Sequence, residues 1–172
     1  MDRRSVRLLT WTTLVLIVTA TVTQAAKPKL IRRLSGSKPL ATAPATEPIE
    51  WQPDLKTAHR ISQETGRPML LVFGGAHCTY CRQLEKQTLG QPALASFINT
   101  AFVPVHLDYD RDQRAAKILK ITSLPTCVIL SPDATELGSV KGFVRAPEFT
   151  RVLHEALNYQ KALQAEAAAE EQ

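Results

Sequence analysis

Two cysteines separated by two residues, Cys78 and Cys81, constrain this chain more than any other feature. They follow an apolar run from Met69 to Phe73, and the residues after them are typical of a helix. The first sulfur of such a pair lies near the helix N-terminus, where unpaired N–H groups and the helix dipole favour a thiolate. The second lies one turn further on, within reach of any mixed disulfide that the first one forms. The pattern predicts a reactive dithiol, although a CxxC pair could equally hold a metal.

The first 25 residues have the composition of a signal peptide or a membrane anchor. Three arginines lie within the first seven residues, a mostly apolar stretch covers 8–22, and small residues follow at Ala25 and Ala26. The apolar stretch is short for a membrane-spanning helix, which favours cleavage, but an uncleaved anchor stays open. In either case we expect an exported, periplasmic or otherwise extracytoplasmic domain, because disulfides persist in such compartments.

The remaining chain divides by composition into three parts. Residues 26–50 are rich in Pro, Ala, Lys and Arg and predict a flexible linker. We expect the folded domain over 51–161 and an Ala/Glu-rich tail over 162–172. From residue 51 onwards the chain has thirteen Lys/Arg and thirteen Asp/Glu, so its formal charge is zero. A basic surface for nucleic acid is therefore not expected, and we predict no nucleic-acid partner.

The domain alternates between strand and helix patterns. After an N-terminal helix that ends near Gly66, the predicted order is β-α-β-α-β-β-α, with a break in the first of these helices at Gly90. Pro104 would place its strand toward a sheet edge, because proline cannot donate to a ladder. The predicted strands cover 68–73, 102–108, 126–130 and 136–144, and the later helices begin near Arg111 and Pro147.

This order, with a CxxC pair at its first strand–helix junction, resembles the thioredoxin fold over about residues 66–160. The segment Ser123–Thr126 stands where that family places its cis-proline loop. The residues from Cys78 to Lys86 look most like periplasmic thiol:disulfide interchange modules, such as the C-terminal reductase domain of the membrane thiol:disulfide interchange protein. That match includes an acid, Glu85, seven residues after the first cysteine. The resemblance implies an α/β, thioredoxin-like fold with an extra N-terminal helix.

The resemblance also implies the roles of the two cysteines and of the loop. Cys78 would attack a substrate disulfide, and Cys81 would resolve the mixed disulfide and close a redox-active disulfide. The substrate would lie in a groove next to the CxxC pair. We expect the groove to be shaped by the proline loop and by the two residues between the cysteines, namely Leu124, Pro125, Thr126, Thr79 and Tyr80. Pro125 is expected to be cis.

Two further residues are candidates for proton transfer. Glu85 lies four residues beyond Cys81 on the same helical face, where it could relay the Cys81 proton or simply pair with Arg82 at the surface. His77 could stabilise the Cys78 thiolate when protonated, protonate the leaving thiol, or merely face solvent. Many thioredoxins bury an Asp where this chain has Val72, and that acid is thought to help the second cysteine lose its proton. Its absence predicts a less efficient exchange than in those thioredoxins, unless Glu85 substitutes for it.

Other functions stay open at this level. Copper(I) could bind the two thiolates, whereas zinc would need about four ligands and finds only Cys78, Cys81 and His77 nearby. The other histidines, His59, His106 and His154, share no ligand-like spacing. The domain could also be a non-catalytic binding module that kept the fold.

The last expectations concern the third cysteine, the cofactor requirement and the partners of the protein. Cys127 lies in an apolar strand and is expected to be buried and inert. As an oxidoreductase, the protein would need no cofactor or metal and would act as a monomer on protein disulfides. A membrane electron-donor protein, implied by the resemblance, would recycle it, and the direction of electron flow is open.

Overall fold

The computed structural model describes residues 47–170 of the chain. In that range the helices and strands follow the order predicted from the sequence, and the helix after the first strand changes from α- to π-helical geometry. The elements are α1 (Leu55–Thr65), β1 (Met69–Gly74), α2 (Thr79–Leu84), a π-helical turn (Glu85–Leu89), α3 (Pro92–Ala101), β2 (Val103–Asp108), α4 (Gln113–Ile118), β3 (Thr126–Leu130), β4 (Glu136–Lys141) and α5 (Ala146–Glu170).

The four strands form one mixed sheet in the order β2-β1-β3-β4. β1 pairs in parallel with β2 and antiparallel with β3, and β3 pairs antiparallel with β4. All six residues of β1 are buried, as its continuous apolar sequence predicts for a central strand. The prediction that Pro104 marks an edge strand is confirmed, because β2 is the outermost strand on its side.

Side chains of β1 alternate between two hydrophobic cores on opposite faces of the sheet. Leu70 and Val72 contribute to the core that also contains buried residues of α2, α3 and α5. Met69, Leu71 and Phe73 contribute to the second core, which is closed by α1 and α4. The cysteine pair, at the start of α2, therefore lies on the first face.

The π-helical turn has a local cause at Gly90. The Gly90 N–H donates to the carbonyl oxygen of Glu85 at 2.7 Å, five residues back. A Cβ at position 90 would lie 3.1 Å from the carbonyl oxygens of both Glu85 and Lys86, so glycine permits the tight closure. The chain is helical from Thr79 to Leu89 and breaks at Gly90 as predicted, and its geometry changes from α- to π-helical at Glu85.

The folded part of the chain begins earlier than predicted. Ile49 is buried in the first core, although the composition of 26–50 predicts a flexible linker throughout. The Glu50 N–H donates to Asn99 Oδ1 at 2.9 Å, and Asn99 Nδ2 donates to the Pro48 carbonyl at 3.0 Å. The Gln52 N–H donates to the Pro104 carbonyl at 2.8 Å, beside edge strand β2. The last residues of the predicted linker are thus part of the fold.

The remaining predictions concern the two ends of the chain. The predicted leader 1–25 and most of the linker lie outside the described residues. In the range 47–170 no helix combines the length and hydrophobicity that a membrane crossing requires. At the other end α5 continues without interruption to Glu170, so the predicted Ala/Glu-rich tail extends the last helix.

Ile49→Ala should lower the free energy of unfolding by about 2 kcal/mol, because it removes buried methyl groups that anchor the N-terminal segment to the core. Urea denaturation of the purified domain measures this change. Ile118→Ala is the matched control, because Ile118 is 69% exposed and its truncation should stay within about 0.5 kcal/mol of the unsubstituted protein. Equal effects of the two substitutions would contradict the assignment of Ile49 to the core.

Candidate active site

The two cysteines of the CxxC pair are joined by a disulfide and differ in accessibility. Their Cα atoms are 5.2 Å apart. Cys78 is the N-cap residue of α2, and its Sγ accepts a hydrogen bond from the Cys81 N–H at 3.1 Å. Cys78 is partly exposed, whereas Cys81 is only 5% exposed. An incoming disulfide can therefore reach Cys78 from solvent, while Cys81 is shielded behind it.

A tight turn carries the chain from β1 to the cysteines. The Cys78 N–H donates to the Gly75 carbonyl at 3.1 Å. This bond closes the turn over residues 75–78, here called the cysteine turn, which places Cys78 at the helix start. A Cβ at Gly75 would lie 3.2 Å from Leu124 Cδ1, so the absence of a side chain lets the two loops approach closely. The sequence-predicted proline loop is thus adjacent to the cysteine turn.

The proline loop is held by its own hydrogen bonds and by Gly142, the residue that follows β4. The Leu124–Pro125 peptide bond is cis. The Pro125 carbonyl accepts from the Gly142 N–H at 2.7 Å, and Thr126 Oγ1 donates to the Ser123 carbonyl at 2.7 Å. Pro125 and Thr126 are buried, while Leu124 is half-buried. Of the three predicted groove residues in this loop, Leu124 therefore offers the most side-chain surface.

The residues between and before the cysteines are exposed. Tyr80 is 63% exposed, which makes it a large aromatic side chain at the surface beside the disulfide. Thr79 Oγ1 accepts from Arg82 Nη2 at 3.4 Å. His77 is exposed, and its ring has no hydrogen-bond partner among residues 47–170. The proton-transfer and thiolate-stabilising roles of His77 stay predictions.

Glu85 has a different partner from the one that helical spacing predicts. Its Oε1 lies 3.2 Å from Nε2 of His106, on β2. Arg82 turns instead toward the cysteine turn, where its Nη1 donates to the Ala76 carbonyl at 3.3 Å. The alternative in which Glu85 simply pairs with Arg82 at the surface is therefore wrong. The Glu85 side chain is 49% exposed and that of His106 is 36% exposed, so the contact lies at the rim of the fold.

Sequence reasoning missed His106 as a member of this site. The apolar residues Val103, Val105 and Leu107 all face the second core, so strand alternation places His106 on the opposite face, beneath α2. In the register of β1 and β2, His106 stands beside Val72. The alternation was visible in the sequence, but the register that brings His106 to this position was not.

His106 and Glu85 belong to an open groove of about 580 Å³. The His106 ring meets the Trp51 ring edge-on, with 5.6 Å between the ring centroids. The other side of the groove includes Leu89, the last residue of the π-helical turn. The N-terminal segment Glu47–Ile49 completes the lining, so the groove depends on the early start of the fold.

Cys127 is separate from this chemistry. It is 1% exposed on β3, paired with Val72 of β1. Burial away from water raises the pKa of its thiol to about 12, because the thiolate would be poorly solvated. The prediction of an inert, buried cysteine is consistent with this environment. Among residues 47–170, no three His, Cys, Asp or Glu side chains are grouped as metal ligands.

Comparison with known proteins agrees with this geometry. The sequence profile of the thioredoxin-like domain family matches residues 55–157. The thiol:disulfide interchange protein DsbD of Cronobacter sakazakii is 28% identical over 102 residues, which cover 56% of this chain and 18% of that protein. DsbD of Salmonella typhi is 27% identical over 100 residues, covering 55% and 18%. The chain thus spans less than a fifth of these relatives.

Solved structures show the same fold. A thioredoxin from Thermus thermophilus has a TM-score of 0.63 at 26% identity, covering 69% of this chain and 94% of that one. The DsbH oxidoreductase has a TM-score of 0.63 at 20% identity, with coverages of 74% and 97%. The oxidised C-terminal domain of Neisseria meningitidis DsbD has a TM-score of 0.52 at 20% identity, with coverages of 59% and 90%.

After reduction of the disulfide, an alkylating reagent should modify the accessible Cys78 in the native protein but modify Cys127 only after unfolding. The thiolate is the reactive form, and the pKa of Cys127 is raised from 9.0 to about 12 in the folded state. The raised pKa favours the folded state below pH 9, and this contribution is lost as the pH rises from about 9 to 12. Mass spectrometry after labelling at about pH 8 counts the modified thiols. Labelling of Cys127 as fast as that of Cys78 would contradict its burial.

Proposed function

The chain belongs to the thioredoxin-like domain family, and we propose that it is an exported oxidoreductase that reduces disulfides in other proteins. The proposal depends most on one observation, the difference between the two sulfurs. Cys78 is accessible at a helix start, and the shielded Cys81 is already at bonding distance behind it. A pair with this arrangement can form a mixed disulfide at one sulfur and resolve it with the other.

In the first step the Cys78 thiolate attacks one sulfur of a substrate disulfide. The substrate S–S bond breaks, one substrate sulfur leaves as a thiolate, and Cys78 is left in a mixed disulfide with the other. The Cys81 N–H, which donates to Cys78 Sγ in the oxidised protein, would stabilise the thiolate before attack. The start of α2 adds a favourable dipole at the same sulfur.

In the second step Cys81 loses its proton and attacks Cys78 Sγ. The mixed disulfide breaks, the second substrate sulfur leaves as a thiolate, and the Cys78–Cys81 disulfide closes. Two electrons have then passed from the dithiol to the substrate. Glu85, one turn beyond Cys81, would accept the Cys81 proton, since Val72 leaves no acid on β1 for that task.

The substrate would bind as an extended segment across the proline loop. Leu124 and the exposed Tyr80 flank the cysteine turn and would supply apolar contacts to it. Thr79 would border the same groove at the helix start. Pro125 and Thr126 are buried, so they would act by holding the shape of the loop rather than through large contacts.

Export and recycling follow from features outside the site. Within residues 1–25, three arginines precede an apolar stretch, and this pattern supports delivery to an extracytoplasmic compartment. Each catalytic cycle leaves the dithiol oxidised, so a reductase needs an electron donor, and a membrane protein could supply electrons across the boundary. The similarity to DsbD, named a thiol:disulfide interchange protein, supports exchange between the dithiol and other disulfides. We propose that the domain acts as a monomer without a cofactor.

Cys78→Ser should abolish disulfide reduction, because no other accessible thiolate can replace the nucleophile. Cys81→Ser should retain the attack but accumulate the mixed disulfide, because the resolving thiol is missing. Reduction of insulin and non-reducing electrophoresis of trapped complexes measure the two effects. Cys127→Ala is the control and should keep its activity, since Cys127 is buried in the sheet. Full reductase activity of Cys78→Ser would refute the proposal.

The equilibrium potential of the Cys78–Cys81 pair tests the direction of electron flow. We expect a value below roughly −220 mV, as for thioredoxin-type reductases, and a value above roughly −150 mV would instead indicate an oxidant. Titration with dithiothreitol or glutathione buffers, followed by alkylation and mass measurement, gives the potential. A pair that does not cycle at all would refute redox catalysis and favour the copper or zinc carrier or the binding module.

A further inference from the structure

We propose that His106 is a positioning residue for closure of the Cys78–Cys81 disulfide, acting through its hydrogen bond to Glu85. The inference rests on the proposed function, in which Glu85 accepts the Cys81 proton. It adds a residue that neither the CxxC motif nor helical spacing indicates. It also predicts that the second half-reaction, but not the first, responds to the protonation of a histidine.

The strand register places His106 behind Cys81. The His106 backbone pairs with Val72, and the ring extends toward the end of β1 at Gly74. A Cβ at Gly74 would lie 3.1 Å from Cε1 and 3.2 Å from Nε2 of His106, and 3.9 Å from Cys81 Cβ. The His106 ring and the Cys81 side chain therefore border the same small space, which glycine leaves open.

Glu85 connects this ring to the helix that contains Cys81. The Glu85 N–H donates to the carbonyl oxygens of Cys81 and Arg82, so Glu85 is still in helical register with the resolving cysteine. Its carboxylate is oriented by His106 Nε2 at 3.2 Å. A glutamate has several rotatable bonds, and a fixed partner restricts the carboxylate to fewer positions. His106 thereby raises the fraction of time that the carboxylate is available to Cys81.

The charge of His106 sets the sign of the pH effect. The Nε2–H can donate to Glu85 in the neutral ring as well as in the imidazolium, so the hydrogen bond survives titration. The imidazolium, however, stabilises the carboxylate and makes it a weaker proton acceptor. Closure should therefore be slower when the His106 ring is charged than when it is neutral.

Other titratable groups near the ring are few among residues 47–170. Glu47, from the N-terminal segment, lines the same groove, and Cys81 contributes the reacting thiol. Asp108 follows His106 by two residues on β2, but its carboxylate already accepts from the N–H groups of Asp110 and Arg111. Glu85 is therefore the acid with a hydrogen bond to the ring.

A symmetrical aromatic disulfide that releases a coloured thiolate separates the two half-reactions in one experiment. Attack by Cys78 releases the first thiolate and forms the mixed disulfide, and attack by Cys81 on Cys78 Sγ releases the second. Stopped-flow absorbance of the reduced protein gives both rates as a function of pH. Absence of the second release in the unsubstituted protein would refute the proposed function itself, before any question about His106 arises.

We expect His106→Ala to slow the second release by about tenfold and to leave the first unchanged. The tenfold effect is smaller than the full contribution of a proton acceptor, because Glu85 is still present. His106→Gln keeps a donor at the position of Nε2, so it should close at a rate within about twofold of the unsubstituted protein near pH 8 but lose the pH inflection. His154→Gln is the matched control, because His154 is an exposed histidine of α5 that stacks on Phe97. Its closure rate and pH profile should be unchanged.

Two further comparisons test the route through Glu85. In the double variant His106→Ala/Glu85→Gln, closure should be no slower than in Glu85→Gln alone, because the two residues act as one unit. Gly74→Ala should slow closure by displacing the ring, whereas Gly138→Ala, whose Cβ would meet nothing nearer than 3.8 Å, should not. Closure in His106→Ala at the unsubstituted rate and with the same pH profile would overturn the inference, as would additive effects in the double variant.

Discussion

The arrangement of the active site depends on the burial of β1 between two hydrophobic cores. Six consecutive residues of this strand are removed from water, and each large apolar side chain among them stabilises the fold by about 1.5–3 kcal/mol. Pairing with β2 on one side and β3 on the other fixes where the strand ends. Phe73 pairs with Thr126 and Gly74 with Asp108, so the cysteine turn, the proline loop and the end of β2 meet at one edge of the sheet. The cysteine turn and the proline loop come together because β1, which precedes the cysteines, is fixed between its two neighbouring strands.

The three cysteines show how the same side chain acquires different properties from its surroundings. Cys127, within the sheet, has its thiolate disfavoured by burial, which raises its pKa to about 12. Cys78 lies only four residues beyond the end of β1, yet it is accessible and receives an N–H donor from Cys81. Cys81 is nearly as buried as Cys127, but Glu85, one helical turn further on, lines an open groove together with His106. Reactivity in this chain is therefore set by access to water and to donors, not by residue type.

Much of the fold could be predicted from the sequence because its signals are local. The apolar run at 69–73, the glycines that follow it and the strand-helix order were all visible along the chain, and the sheet edge at Pro104 follows from one missing donor. The contact of Glu85 with His106 could not be predicted in this way, because it joins residues 21 apart through the register of β1 and β2. Local helical spacing suggested Arg82 instead, but Arg82 donates to the Ala76 carbonyl and to Thr79 Oγ1. Ile49 was missed because a proline-rich composition outweighed one apolar residue.

The position of the ionisable pair follows from the energetic cost of burying charge. An acid at position 72 would face a core and would need compensation for its lost hydration, whereas Val72 packs there without it. A carboxylate and an imidazole at the rim avoid that cost, but exposed ion pairs contribute only about 0.2–1 kcal/mol. The weak pair is nevertheless suited to moving a proton, because Glu85 and His106 both line an open groove that solvent can reach. A substrate bound across the cysteine turn would exclude water from Cys78 and leave this groove as the route by which the Cys81 proton departs.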